Sequence, residues 1–231
     1  ATTNTGFSPG STERVPDLAI DPTHTFVAVA YPEFGEVRVR NLDSNNTLVV
    51  IEVPDASPGE GAVSKGELQV YFNQGDAELL YVLDRDQLML HRYDGTDNYN
   101  LLGSTDLDAM LTVPDDFPSH DWIYHDVSRN RLYVGPLPLE PLTGEVNGDP
   151  LAAGHVVLAV DTLRNFYWVL QRLSTVAAVV RVDRTSNMVL DELPIILEGT
   201  FHGDPELAFD IANRRFYAAN PITTIIDTYN Y

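Results

Sequence analysis

The chain has 231 residues, 44% of them hydrophobic and 21% charged, the make-up of a water-soluble globular protein with one well-cored domain or two small ones. Acidic residues outnumber basic ones 34 to 14, for a formal net charge of −20, and cysteine is absent. A surface of that sign repels nucleic acid and anionic membranes, and the lack of cysteine excludes disulfides, thiolate metal sites and cysteine nucleophiles.

Lys65 is the only lysine, so every other basic side chain is arginine. Self-repulsion of this size destabilises a compact chain in dilute buffer, and dissolved salt screens it. The pattern resembles proteins adapted to extreme salinity. The expected setting is therefore a high-salt one, with proteins, sugars or cations as partners. No apolar run reaches the roughly 18 residues that span a bilayer. Residues 1–17 lack the basic and apolar segments of a signal peptide and read as a mature end.

Residues 1–14 read as an N-terminal arm and 15–231 as a single all-β domain. Short runs rich in Val, Ile, Tyr and Phe alternate with Asp, Asn, Gly and Pro clusters, the mark of strands and turns. In chain order the predicted strands are 25–30, 36–42, 46–53, 68–73, 79–84 and 87–94. A short helix is predicted over "STDLDAMLTV" (104–113), which opens on a plausible N-cap. Strands resume at 121–127, 131–135, 155–161, 165–171, 176–183, 187–193, 206–212, 215–220 and 223–229. Two Pro/Gly-rich stretches, 54–66 and 136–154, read as long loops.

The strands repeat as a pattern. "WIYHDVSRNRLYVG" (122–135) aligns with "LAFDIANRRFYAAN" (207–220), placing Asp126 on Asp210 and Tyr133 on Tyr217. "LAIDPTHTFVAVAY" (18–31) and "VYFNQGDAELLYVL" (70–83) share the same outline. A second kind of strand, ending in a polar turn, occurs in "VRVRNLDSNN", "LMLHRYDGTD", "VVLAVDTLRN", "VVRVDRTSN" and "TIIDTYN". This alternation resembles the blades of YVTN and NHL β-propellers. The resemblance implies a small propeller of four or five blades, each hiding its faces against its neighbours. The competing architecture is a β-sandwich or jelly roll, which also shows many short strands and frequent turns.

"PSHDWIYHDVSRNRLYVG" (118–135) carries two His-Asp pairs. Within one strand His120 and His125 face opposite sides, so a metal site there needs ligands from another unit. "FHGDPE" supplies His202 and Asp204 just before the aligned strand. In a propeller His120, Asp121, His202, Asp204 and Asp17 would collect at one mouth of the channel, a weak candidate set for a divalent ion. The acidic turns at 84–86, 94–98 and 106–108 match no EF-hand loop and read as turns with, at most, weak cation binding. No nucleophile elbow, phosphate loop or dinucleotide fingerprint is present. Trp122, Tyr124, Phe166, Tyr167 and Trp168 read as packing residues. Asn45-Asn46-Thr47 is an N-glycosylation sequon in a turn.

The expected protein is non-enzymatic, with no cofactor and no catalytic residue. It presents its surface to protein partners or assembles with itself, outside the cell or on a virion. It is similar in size and acidity to virion structural proteins of viruses that infect halophilic archaea. The alternative is a propeller hydrolase or lactonase with a divalent metal at the channel mouth.

Overall fold

The computed structural model describes residues 17–54, 68–75, 78–108, 110–111, 123–173, 176–190, 195–197, 206–220 and 225–230. Among them are five antiparallel sheets, each built from strands consecutive in the chain. The first sheet holds β1 (Leu18–Ile20), β2 (Phe26–Tyr31), β3 (Glu36–Asn41) and β4 (Thr47–Glu52). The second holds β5 (Leu68–Phe72), β6 (Leu79–Asp84), β7 (Met89–Asp94) and β8 (Asn100–Asp106). The third is β9 (Ile123–Asp126), β10 (Arg131–Val134) and β11 (Leu137–Leu139). The fourth is β12 (His155–Asp161), β13 (Phe166–Leu173), β14 (Val176–Asp183) and β15 (Ile195–Leu197). The fifth is β16 (Glu206–Asp210), β17 (Arg215–Asn220) and β18 (Ile225–Asn230).

Burial peaks in the middle strands of the sheets, between β1 and β4 in the first and between β5 and β8 in the second. All six residues of β6, "LLYVLD", are buried, as are the four central residues of β2. A strand covered on both faces has no reason to alternate and reads as a continuous apolar run. The edge strand β4, "TLVVIE", is just as apolar in its middle, yet only Ile51 is buried, between exposed Val50 and Glu52. The β-branched and aromatic content of "NFYWVLQ" and "VAAVVRVD" does give strands, paired in register from Phe166↔Asp183 to Leu173↔Val176.

The sheets fall in two compact units. The first runs to Met110 and takes in Leu142–Gly144; the second comprises Leu111–Pro141 and Glu145–Tyr231. In the first unit, Ala28, Val37, Val39 and Ile51 of the first sheet pack on Val70, Phe72, Leu80 and Val82 of the second. In the second unit, Tyr133 of the third sheet packs on Val157, Tyr167, Val169 and Val180 of the fourth. The other face of the fourth sheet meets the fifth through an aromatic ladder. Phe166 meets Trp168 edge-on at 5.3 Å, Trp168 lies 5.8 Å from Phe209, and Phe216 stacks on Tyr229 at 4.6 Å. Such rings supply large buried area and favour these offset and edge-on geometries.

Four expectations change. No helix forms over 104–106, because β8 continues to Asp106 and pairs with β7 as His91↔Ser104 and Met89↔Asp106. Pairing with an open neighbouring strand outweighs a lone N-cap signal. The stretch 136–154 is not a bare loop: it contains β11, a bridge between Leu139 and Val146, and buried Leu137, Leu139 and Leu151. "VVLAVD", grouped above with the second kind of strand, is the first strand of the fourth sheet, so "DTLRN" is the turn of the β12–β13 hairpin. In "NMVLDEL" the described residues make only an isolated bridge from Val189 to Val182. The arm 1–14 and, apart from Pro54, the stretch 54–66 lie outside the described residues. Among the described residues no helix is long and apolar enough to cross a membrane.

Candidate functional site

The first strand of each sheet ends in, or is directly followed by, Asp or Asn: Asp21, Asn73, Asp126, Asp161 and Asp210. Each side chain folds back on the turn beyond it. Asp21 accepts from the backbone N–H of Thr23, Thr25 and Phe26 at 2.9, 2.7 and 2.5 Å. Asn73 accepts from Gly75 N at 2.8 Å, Asp161 from Arg164 N at 3.0 Å and Asp210 from Asn213 N at 3.0 Å. Short polar side chains do this because they satisfy turn amides that the strand ladder leaves unpaired. Several of these turns close on a left-handed residue, Asn130 after Asp126 and Asn165 after Asp161 among them, a conformation that asparagine tolerates.

Asp126 does more than cap its turn. Its Oδ2 accepts from Tyr167 Oη at 2.7 Å and from Arg184 Nη2 at 2.6 Å, while Oδ1 accepts from Ser128 Oγ at 2.7 Å. Tyr133 Oη in turn donates to Tyr167 Oη at 3.2 Å, and Arg184 also donates to Ser128 Oγ at 2.5 Å. Asp126, Ser128 and Tyr133 belong to the β9–β10 hairpin of the third sheet; Tyr167 lies on β13 of the fourth sheet and Arg184 in the turn directly after β14. Arg129 reinforces the junction by donating to the carbonyl of Arg184. The network therefore bolts one sheet to the next inside the second unit.

The first unit uses the same position with different chemistry. The Asp21 carboxylate lies near Tyr99, in the turn after β7, and its charge adds to burial in pushing that phenol up to about 12. Asp17 Oδ2 accepts from Val70 N at 2.8 Å, tying the first strand of one sheet to the first strand of the next.

These environments decide what the groups can do. Burial alone pushes the Asp126 carboxyl up, but the bonds from Ser128, Tyr167 and Arg184 outweigh it and hold the carboxyl below its ordinary range. Burial raises the Tyr167 phenol, and its bond with Tyr133 adds to that shift. Asp126 and Tyr167 are both 0% exposed, buried within the junction of the two sheets. A charged carboxylate saturated by three donors is a fastener, not a base. His125 and His155 are also buried, and burial lowers the pKa of both.

Of the residues predicted to form a metal site, only Asp17 lies among the described residues; His120, Asp121, His202 and Asp204 lie outside them. One Asp17 oxygen is already committed to the Val70 amide. Among the described residues no group of three or more His, Asp or Glu side chains could hold a metal ion. The acidic turns serve their own backbone: Asp84 accepts from the amides of Asp86 and Gln87, Asp94 from Thr96, and Asp106 from Asp108. Phe166, Tyr167 and Trp168 are buried packing residues and Tyr124 is partly so, while Trp122 lies outside the described residues. Sequence reasoning singled out Asp126 through the repeat but missed Arg184, whose only mark is its place directly after Asp183 in a polar turn.

No protein-family model matches the chain, and no curated protein matches it significantly. Among solved structures, hydrazine synthase of Kuenenia stuttgartiensis superposes with a TM-score of 0.62 at 12% identity, over 92% of this chain and 58% of that one. The Cps50 (Swd1) β-propeller domain of Myceliophteria thermophila gives 0.56 at 9% identity, over 90% of this chain and 64% of that one. Hsv2 of Kluyveromyces lactis gives 0.51 at 10% identity, over 93% and 59%. The chain thus spans less than two thirds of the solved chains it matches. At such identities the likeness concerns the fold alone, an all-β chain of small antiparallel sheets with β-propeller neighbours.

Proposed function

We propose that this is a non-enzymatic structural or recognition protein of a high-salt setting, a five-bladed β-propeller that meets other protein subunits, copies of itself included, in an extracellular or virion surface assembly. Five consecutive sheets among the described residues support five blades over four. The charge of −20 with a single lysine supports the saline setting.

The observation that carries the reading lies just beyond the third strand of three sheets. Leu48 and Val50 of β4 are 53% and 48% exposed, Leu101 and Leu102 of β8 are 47% and 46%, and Met188 and Leu190, beside β14, are 66% and 48%. Single exposed apolar residues are ordinary, but here a pair follows the turn beyond the third strand in three sheets. In concentrated salt, where charge repulsion is screened and apolar burial is strengthened, such pairs favour protein–protein contact. The test is native mass in multimolar salt for Leu48→Ser/Val50→Ser, Leu101→Ser/Leu102→Ser and Met188→Ser/Leu190→Ser. At least one pair is expected to lower the mass of the assembly without changing the far-UV circular dichroism. An assembly indifferent to all three pairs would overturn the reading.

A further inference from the structure

We propose that Asn45 is an N-glycosylation site. Three turns of this chain are built alike, each leading out of the third strand of a sheet. Asn41 Oδ1 accepts from the amides of Asp43 and Ser44 at 3.1 and 2.9 Å; Asp94 Oδ1 accepts from the amide of Thr96 at 2.9 Å; Asp183 Oδ1 accepts from the amides of Thr185 and Ser186 at 3.0 and 2.8 Å. Four residues after each cap stands an asparagine in the left-handed conformation: Asn45 (φ 57°), Asn98 (φ 52°) and Asn187 (φ 56°).

The three asparagines differ in their C-terminal neighbours and in their bonding. Asn45 alone has a Thr two residues on, Thr47, which makes it the acceptor of the chain's one Asn-x-Ser/Thr sequence. The Asn187 amide donates to the carbonyl of Asp149 at 3.0 Å and is thereby occupied. Among the described residues the Asn45 side chain has no hydrogen-bond partner, and Asn45, Asn46 and Thr47 are all exposed. The cap of this turn is also the neutral Asn41, where the other two turns carry a carboxylate. The backbone holds the acceptor outward while its own amides are satisfied, with Asn45 N donating to Asn41 O at 2.8 Å.

The reaction replaces one bond with another. The Asn45 amide nitrogen bonds to the anomeric carbon of a glycan. The C–O bond to the polyprenyl phosphate or diphosphate carrier breaks with its electron pair on the phosphate, and the amide gives up one proton. The carrier-linked glycan and its membrane-bound transferase are the co-reactants. A glycan here would stand at the end of the β3–β4 hairpin and hydrate that end of the exposed strand β4. The inference rests on the extracytoplasmic placement proposed above.

Trypsin isolates the site cleanly, because no Lys or Arg lies between Arg40 and Lys65. Mass spectrometry of the protein purified from the organism that makes it should find peptide 41–65 displaced upward by a glycan mass. Chemical release of the glycan should return the peptide to its unmodified mass. Thr47→Val should abolish the displacement, and Thr47→Ser should keep it. In parallel, protease added to intact source material reads whether the protein lies outside the membrane. An unmodified peptide from a protein that external protease digests would overturn the glycan alone; an unmodified, protected protein would overturn the placement with it.

Discussion

Arg184 and Asp126 are 58 residues apart in the sequence and 2.6 Å apart in the fold, with side chains 5% and 0% exposed. The pair joins two sheets that local sequence treats as separate hairpins. Its charges are desolvated together, so the cost of separating them is large. Removing one partner of a buried pair strands the other and typically costs about 3–5 kcal/mol.

Arg184→Met is therefore expected to destabilise the second unit by about that amount. Ser128→Ala, which removes one neutral donor, should cost about 1 kcal/mol. Denaturant unfolding in multimolar salt measures both. A loss for Arg184→Met under about 1 kcal/mol, the level of an exposed pair, would mean that the network does not fasten the sheets.

Acid should act in two stages. Burial holds His125 and His155 below the ordinary 6.5, with Asp126 and Asn130 pulling His125 partly back. The unfolded chain then binds protons that the folded chain refuses, so stability is full above that value and falls as pH drops below it. Asp126 is held below its ordinary 3.8, so its contribution persists above that value and is lost as pH falls through the lower folded value. His155→Leu should flatten the first decline and leave the second, as read by unfolding free energy from about pH 7 to 3. An undiminished first decline in His155→Leu would show that His155 is not part of it.

Two glycines separate steric crowding from backbone strain. Gly144 (φ +72°) lies against the guanidinium of buried Arg92 and the hydroxyl of Thr105, where a Cβ has no room. Gly154 (φ +78°) has nothing within 4 Å of an added Cβ. Gly154→Ala should cost about 1–2 kcal/mol for the left-handed backbone alone, and Gly144→Ala clearly more, because Arg92 must also leave its 2.5 Å bond to Thr105. Equal losses on thermal unfolding would mean that the Arg92 contact yields freely.

Asp17 is where the metal expectation and the structure meet. Its bond to the Val70 amide makes it a link between sheets. Asp17→Ala should lower stability by about 1–3 kcal/mol, equally with and without a chelator. A loss seen only when divalent ions are present, together with a stoichiometric metal that disappears in His120→Ala or His202→Ala, would favour the hydrolase or lactonase instead.

Much of the fold is legible in the sequence because it is written locally. Continuous apolar runs mark β2, β4 and β6, and the recurrent Asp marks the first hairpins through Asp126 and Asp210. The turns at 84–86, 94–98 and 106–108 are likewise local, and each carboxylate serves amides two or three residues on. What the sequence hides is set by distance. The contact of Arg184 with Asp126 and the cradle of Arg92 beside Gly144 both depend on partners many residues away. Residues 104–106 look like a helix start because Ser-Thr-Asp is a good cap, yet β7 offers a whole strand of backbone partners. "VVLAVD" misleads for a related reason: Asp161 at the end of a first strand and Asp183 at the end of a third strand cap their polar turns alike, so local sequence does not tell the two apart.

The most direct test of the central claim is native mass by light scattering after gel filtration, in multimolar salt and again in dilute buffer. The expected result is a discrete oligomer or larger particle in salt that falls apart in dilute buffer, as screening of the −20 charge is withdrawn. A monomer of 25.6 kDa in both, with its fold indifferent to salt, would contradict both the assembly and the saline setting.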